Sequence, residues 1–133
     1  MSLAIGVDLG GTKIAAGVVD EAGMILAEIR QPTPTSNAEA VVDAMAAMVQ
    51  ELHARHPVTA VGIGAPCFVS HDRDYIMFTA NLPIRDVRLA SLVTAKTELP
   101  TVIENDANAA AWAEFKFGAA QGTTDMVLIT LGT

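Results

Sequence analysis

Cysteine is nearly absent from this chain: Cys67 stands alone among 133 residues. A single thiol excludes an intrachain disulfide and any cysteine-rich metal site built from this sequence, and both exclusions fit a reducing compartment. Basic residues are also scarce. Eight Lys and Arg against fifteen Asp and Glu give a formal net charge of −7. The few cations form no cluster, whereas nucleic-acid binding draws on a basic face, so nucleic acid is not an expected partner. Long apolar runs are missing too, although 51% of the residues are hydrophobic; none approaches the ~20 residues that span a bilayer. Met1-Ser2-Leu3-Ala4 has no charged side chain and leads straight into a strand pattern. No secretory leader and no membrane contact are expected, and a cytoplasmic location is. The length suits one domain with a real core.

Two glycine-rich turns stand out against this background. The first is Ile5-Gly6-Val7-Asp8-Leu9-Gly10-Gly11-Thr12-Lys13, and the second is Leu128-Ile129-Thr130-Leu131-Gly132-Thr133. Each is an apolar strand running into a Gly/Thr turn, a combination suited to gripping phosphate. Gly10 and Gly11 let backbone N–H groups approach phosphate oxygens, Thr12 adds a hydroxyl and Lys13 a positive charge. Asp8 is placed to hold Mg²⁺, directly or through water, because hard cations prefer oxygen ligands. Thr130, Gly132 and Thr133 form the start of a second such grip. Neither turn is a Walker loop or a dinucleotide fingerprint, since both of those open a helix. Here residues 14–20 are apolar and β-compatible, and a turn at Asp20-Glu21-Ala22-Gly23 leads to another strand. The loop therefore lies in a strand–turn–strand hairpin, as in actin-like, sugar-kinase and chaperone ATPases. An ordinary tight hairpin whose glycines supply φ > 0 uses the same residues.

Periodicity predicts strands at about 4–9, 13–20 and 24–31, with Gln31-Pro32-Thr33-Pro34-Thr35 breaking the sheet. A helix follows, its apolar stripe being Ala38, Val41, Val42, Met45, Met48, Val49 and Leu52. Ser36 and Glu39 form a capping box at its start and Pro57 lies past its end. Residues 58–64 read as a short buried strand. Residues 65–86 read as polar loops with a hairpin near 75–78. A helix over 88–99 is expected to be capped by Asp86, with Leu89, Leu92, Val93 and Leu99 on one side. Strand 101–104, helix 107–117 with Gly118 at its C-cap, and strand 125–131 complete the order. That order, βββαβαβ(α)β, is α/β and ribonuclease-H-like (the actin-like ATPase domain), a mixed sheet with flanking helices. Met24, Met45, Met48, Met77 and Met126 are expected to fill the core.

The strongest chemical candidate is Val102-Ile103-Glu104-Asn105-Asp106-Ala107-Asn108-Ala109, where a strand ends and a helix begins. In open α/β sheets, ligands bind at the carboxyl ends of strands. Asp106 is able to accept a proton from a substrate hydroxyl, and Asn105 to hydrogen-bond neighbouring hydroxyls. Asn and Asp are also preferred N-caps, so the pair has a purely structural reading as well. The helix dipole stabilises a carboxylate there and weakens it as a base. Phosphoryl transfer tolerates this, because the attacking hydroxyl needs orienting first and loses its proton late.

Taken together, the motifs resemble the ROK family of sugar kinases and repressors. The resemblance rests on the first Gly/Thr turn, Val61-Gly62-Ile63-Gly64-Ala65-Pro66, Asn81-Leu82-Pro83, Glu104-Asn105-Asp106-Ala107-Asn108-Ala109-Ala110, Phe117-Gly118-Ala119-Ala120 and Thr130-Leu131-Gly132-Thr133. It implies an ATP- and Mg²⁺-dependent hexose kinase of two lobes, most simply a glucokinase, with a homodimer as its assembly. By this likeness Asp106 matches the catalytic base and Asn105 its partner on the sugar. Asn81, Pro66 and Cys67 lie in loops resembling those that line the sugar pocket. Asp8, Gly10, Gly11, Thr12 and Lys13 match the first phosphate motif, and Thr130, Gly132 and Thr133 the second. Residues 1–120 correspond to the first lobe and 121–133 to a hinge and the first strand of the second. Any structural Zn²⁺ would belong to the remainder of that second lobe.

One departure is Cys67, where family members usually carry glycine; a thiol there would crowd the sugar loop or restrict a positive φ. Its plainer reading is a small buried hydrophobe. A non-enzymatic sugar-sensing regulator is the alternative function. Such repressors carry a helix-turn-helix ahead of the first phosphate motif, which here begins at Ile5. A chaperone-type ATPase is a third reading, against which the Glu104-Asn105-Asp106 segment counts.

Overall fold

The computed structural model describes residues 2–131. Its elements are β1 (Ala4–Leu9), β2 (Lys13–Val19), β3 (Ile25–Pro32), α1 (Ala38–Arg55), β4 (Ala60–Ala65), β5 (Cys67–Val69), β6 (Tyr75–Thr79), β7 (Arg85–Arg88), α2 (Leu89–Thr97), β8 (Thr101–Asn105) and α3 (Asp106–Phe117). Five strands form one sheet in the order β3-β2-β1-β4-β8. The first three pair antiparallel, while β4 and β8 join parallel to β1. The carboxyl ends of β1, β4 and β8 therefore lie along one edge.

Strict alternation makes the two faces of this sheet unlike. Ile5, Val7 and Leu9 in β1, Ile14, Ala16 and Val18 in β2, Val61, Ile63 and Ala65 in β4, and Ile103 in β8 are all buried on one face. They join a single core with Val41, Val42, Met45, Met48, Val49 and Leu52 of α1 and Leu89, Ala90 and Val93 of α2. Each Val, Leu, Ile or Met side chain among them contributes roughly 1.5–3 kcal/mol by leaving water. The opposite face presents Gly6, Asp8, Gly17, Gly62 and Gly64. Among the described helices α3 packs there, with Ala109 Cβ 3.7 Å from where a Cβ on Gly64 would stand. Beside α3 a groove of about 890 Å³ runs across the sheet, lined by Gly6, Asp8, Gly62, Glu104, Asp106 and Thr130 among others.

Several elements depart from expectation, each for a local reason. Strand β3 runs on through Gln31 and Pro32; Pro32 ends an edge strand, where a missing N–H costs little. Asn37, not Ser36, caps α1, its Oδ1 accepting from Ala40 N at 2.8 Å. The stretch expected to be irregular holds a second, three-stranded sheet in the order β5-β6-β7. Asp86 does not cap α2. It sits in the left-handed region with φ 52, and Asp74 instead accepts from Ser91 N at 2.7 Å and from Ser91 Oγ at 2.6 Å. Leu92, placed with the apolar side of that helix, is 43% exposed. Helix α3 starts one residue earlier than expected, at Asp106, and Gly118 closes it without a left-handed φ. Met45 and Met48 are core residues, but Met24 and Met77 are exposed. Residues 125–131 form no strand, and Val127, Ile129 and Leu131 are exposed.

Candidate active site

The turn between β1 and β2 is held tightly. Gly10 N donates to the Lys13 carbonyl at 3.0 Å. Thr33, buried at the end of β3, donates from Oγ1 to the Gly10 carbonyl at 2.7 Å and from its N–H to the Thr12 carbonyl at 2.9 Å. Neither Gly10 nor Gly11 has the positive φ that a tight hairpin suggests; among the described residues the glycines that do are Gly23 and Gly122. Their reason is closeness. A Cβ on Gly10 would stand 2.9 Å from the Lys13 carbonyl oxygen, and one on Gly11 would stand 3.2 Å from Asn81 Cβ. Thr12 and Lys13 are exposed at the turn.

Asn81 thus lies directly over the glycine turn, so the loop that resembles a sugar-lining segment meets the loop that resembles a phosphate grip. Its turn is fixed by Thr79, whose buried Oγ1 is 3.0 Å from the Leu82 carbonyl and 2.9 Å from the Ile84 carbonyl and can donate to either.

At the other side of the groove β8 passes into α3. Asn105 is the N-cap, its Oδ1 accepting from Asn108 N at 3.1 Å, while its Nδ2 donates to the Cys67 carbonyl at 3.2 Å. One amide N–H of Asn105 is left for a ligand. Asp106 occupies the first helical position, is exposed, and makes one local bond, from Ala107 N to its Oδ1 at 2.8 Å. Asp8 and Asp106 face the same groove, which Thr130 also lines. Gly132 and Thr133 fall outside the described residues.

Pro66 joins β4 to β5, and Cys67 follows it in extended backbone rather than a left-handed one. The thiol is buried. Burial, then the negative charges of Asp106 and Glu104, push its pKa up from 9.0 to about 11. It is a protonated, inert group at neutral pH.

Thr33, Glu104 and Arg73 receive no individual role from sequence alone. Thr33 lies in the segment expected to break the sheet, and its partner Gly10, 23 residues away, leaves no local signal. Glu104 Oε1 accepts from Asn105 N at 2.8 Å and from Asn108 Nδ2 at 3.3 Å, and Glu104 Oε2 lies 3.5 Å from Arg73 of the β5–β6 turn. The Arg73 contact is long-range and leaves no local signal. Among the described residues no three His, Cys, Asp or Glu side chains are grouped to hold a metal ion, and no helix is long and apolar enough to cross a membrane.

An open mixed sheet whose first three strands form a meander joined in parallel by β4 and β8, with flanking helices, is the first lobe of an actin-like, ribonuclease-H-like fold. The ROK family pattern matches residues 4–133, and the chain belongs to that family. It is 52% identical over 133 residues to a glucokinase of Streptomyces coelicolor, aligning along its whole length with 42% of that protein. The structure of a ROK family glucokinase from Streptomyces griseus in complex with glucose and AMPPNP superposes with a TM-score of 0.87 at 51% identity, covering 91% of this chain and 38% of that one. An inorganic polyphosphate/ATP-glucomannokinase from Arthrobacter superposes with a TM-score of 0.82 at 35% identity, covering 92% of this chain and 51% of that one. The chain spans about two fifths of the length of the curated Streptomyces glucokinases it matches.

Proposed function

We propose that the full-length protein transfers the γ-phosphoryl group of ATP to a hexose, with glucose as the preferred acceptor and glucose 6-phosphate as product. The observation that carries this reading is the shared groove: Asp8 and Asp106 open onto one cavity at the carboxyl ends of β1 and β8, beside the glycine turn. Similarity to a glucokinase solved with glucose and an ATP analogue supports the substrate pair.

In this reading Asp106 orients the sugar hydroxyl, whose oxygen attacks the γ-phosphorus. The bond from that phosphorus to the β,γ-bridging oxygen breaks, ADP leaves, and the hydroxyl proton passes to the Asp106 carboxylate. Gly10, Gly11, Thr12 and Lys13 hold phosphate oxygens, with the second motif at Thr130, Gly132 and Thr133 completing the grip. Asn105 and Asn81 position the sugar, with Pro66 and Cys67 shaping its loop. Exposed, and in no ion pair among the described residues, Asp8 suits Mg²⁺, which binds through one or two carboxylates, water and substrate phosphates and neutralises phosphate charge. Residues 1–120 form the first lobe, and 121–133 lead into a second.

The test is ADP release by the full-length protein with Mg²⁺-ATP and a panel of glucose, mannose, N-acetylmannosamine and fructose, with polyphosphate as an alternative donor. Turnover highest with glucose is expected. No phosphorylation of any hexose overturns the reading.

A further inference from the structure

Strand β8 is one of the two outer strands of the five-stranded sheet, so alternate N–H groups along it face away from β4. The chain covers two of these outward donors itself. Ile103 N donates to the Arg73 carbonyl at 2.9 Å. Two residues on, and so on the same edge, Asn105 N donates to Glu104 Oε1 at 2.8 Å. That oxygen also takes the Asn108 side-chain amide at 3.3 Å, and the other carboxylate oxygen lies 3.5 Å from the Arg73 guanidinium. Arg73 is itself fixed at the tip of the β5–β6 turn, with φ 57 and its N–H donating to the Ser70 carbonyl at 3.0 Å. One carboxylate thus joins the end of β8, the first turn of α3 and the turn of the second sheet.

We propose that Glu104 is a positioning residue for the reaction at Asp106, locking the β8–α3 junction against the β5–β6 turn; the proposal rests on the kinase reading above. Asp106 makes only a local bond, so the aim of its carboxylate follows the backbone that Glu104 holds. The Arg73 side chain is 58% exposed and that of Glu104 27%, and exposed ion pairs contribute only about 0–1 kcal/mol. Stability is therefore a minor part of what Glu104 does. Geometry is the major part, since a displacement of about 1 Å at a reacting group costs on the order of 10²-fold in rate.

In the full-length protein, Glu104→Ala is expected to lower kcat by about 10- to 10²-fold while sugar KM stays close to wild type. Glu104→Gln keeps an acceptor for Asn105 N and is expected to recover most of the loss. Glu104→Asp keeps the charge but shortens the reach, and is expected to lose turnover even if the Ala variant does not fold. In an Asp106→Asn background, removing Glu104 is expected to add little, because it acts through Asp106. Wild-type kcat in Glu104→Asp, or equal losses in both backgrounds, overturns the proposal. Amide exchange supplies a readout that needs neither sugar nor nucleotide: the Asn105 N–H is expected to exchange at least about tenfold faster in Glu104→Asp. Unchanged protection there removes the clamp even if the protein is a kinase. If the wild type phosphorylates no hexose, the kinase reading fails while the exchange result still decides whether the clamp exists.

Discussion

Asp106 is a first-turn helix residue, and the kinase reading proposed above gives it a second role, proton acceptor, that residue type alone does not separate from the first. Asn105 takes most of the structural one, capping α3 through Oδ1. Asp106 is left exposed in the groove. Asp106→Asn in the full-length protein is therefore expected to reduce kcat by roughly 10²–10⁴ while sugar affinity holds, as for a positioned base. Turnover near wild type, measured alongside glucose binding by calorimetry, would leave Asp106 a helix residue only. Cys67 gives a pH-dependent prediction. Its folded-state pKa of about 11 exceeds the ordinary 9.0, so the unfolded chain loses that proton first as pH rises. The resulting stability is complete below the ordinary value and is lost as pH climbs from 9.0 to about 11. Urea midpoints should fall across that window in the wild type, and less steeply in Cys67→Ala.

Elements whose face is continuous were legible in sequence; elements held by distant partners were not. Alternation in β1, β2 and β4 and the seven-residue stripe of α1 follow directly from burial on one side. The capping of α1 slipped by one residue because Ser36 and Asn37 are both good caps. Asn37→Ala should cost about 1 kcal/mol, read as a lower urea midpoint, whereas Ser36→Ala should leave it unchanged. Asp74 reaches α2 from 17 residues away, and no local pattern announces such a contact. The short strands β5 and β7 escaped for a similar reason, since their pairing with β6, not their composition, makes them strands. Residues 125–131 carry a strong strand pattern, yet a strand needs a neighbour to supply its hydrogen bonds.

The whole molecule buries one face of its main sheet and leaves the other largely to α3. Gly6 and Gly62 on that face have nothing within 4 Å of where a Cβ would be, and Val127, Ile129 and Leu131 are 87%, 77% and 93% exposed. Phosphate grip, sugar ligation and exclusion of water need a second wall across the groove. The 133-residue chain by itself is expected to show no measurable hexose phosphorylation in the same ADP-release assay. Robust turnover by the isolated chain would overturn the two-lobe reading.

Strand order carries a consequence for how the groove comes into being. The β1–β2–β3 meander closes through short turns, whereas β1 meets β4 by bringing Ala4 beside Ala60, and β4 meets β8 by bringing Val61 beside Thr101. Closing a longer loop costs more chain entropy, so near contacts form ahead of distant ones. By this reasoning Asp8 is expected to be in place with the early meander, and Asp106 to join it only once β4 has paired with both β1 and β8. The two carboxylates are therefore expected to meet late in folding, only after both the β1–β4 and the β4–β8 pairings have closed, the β1–β4 pairing being the longer-range of the two.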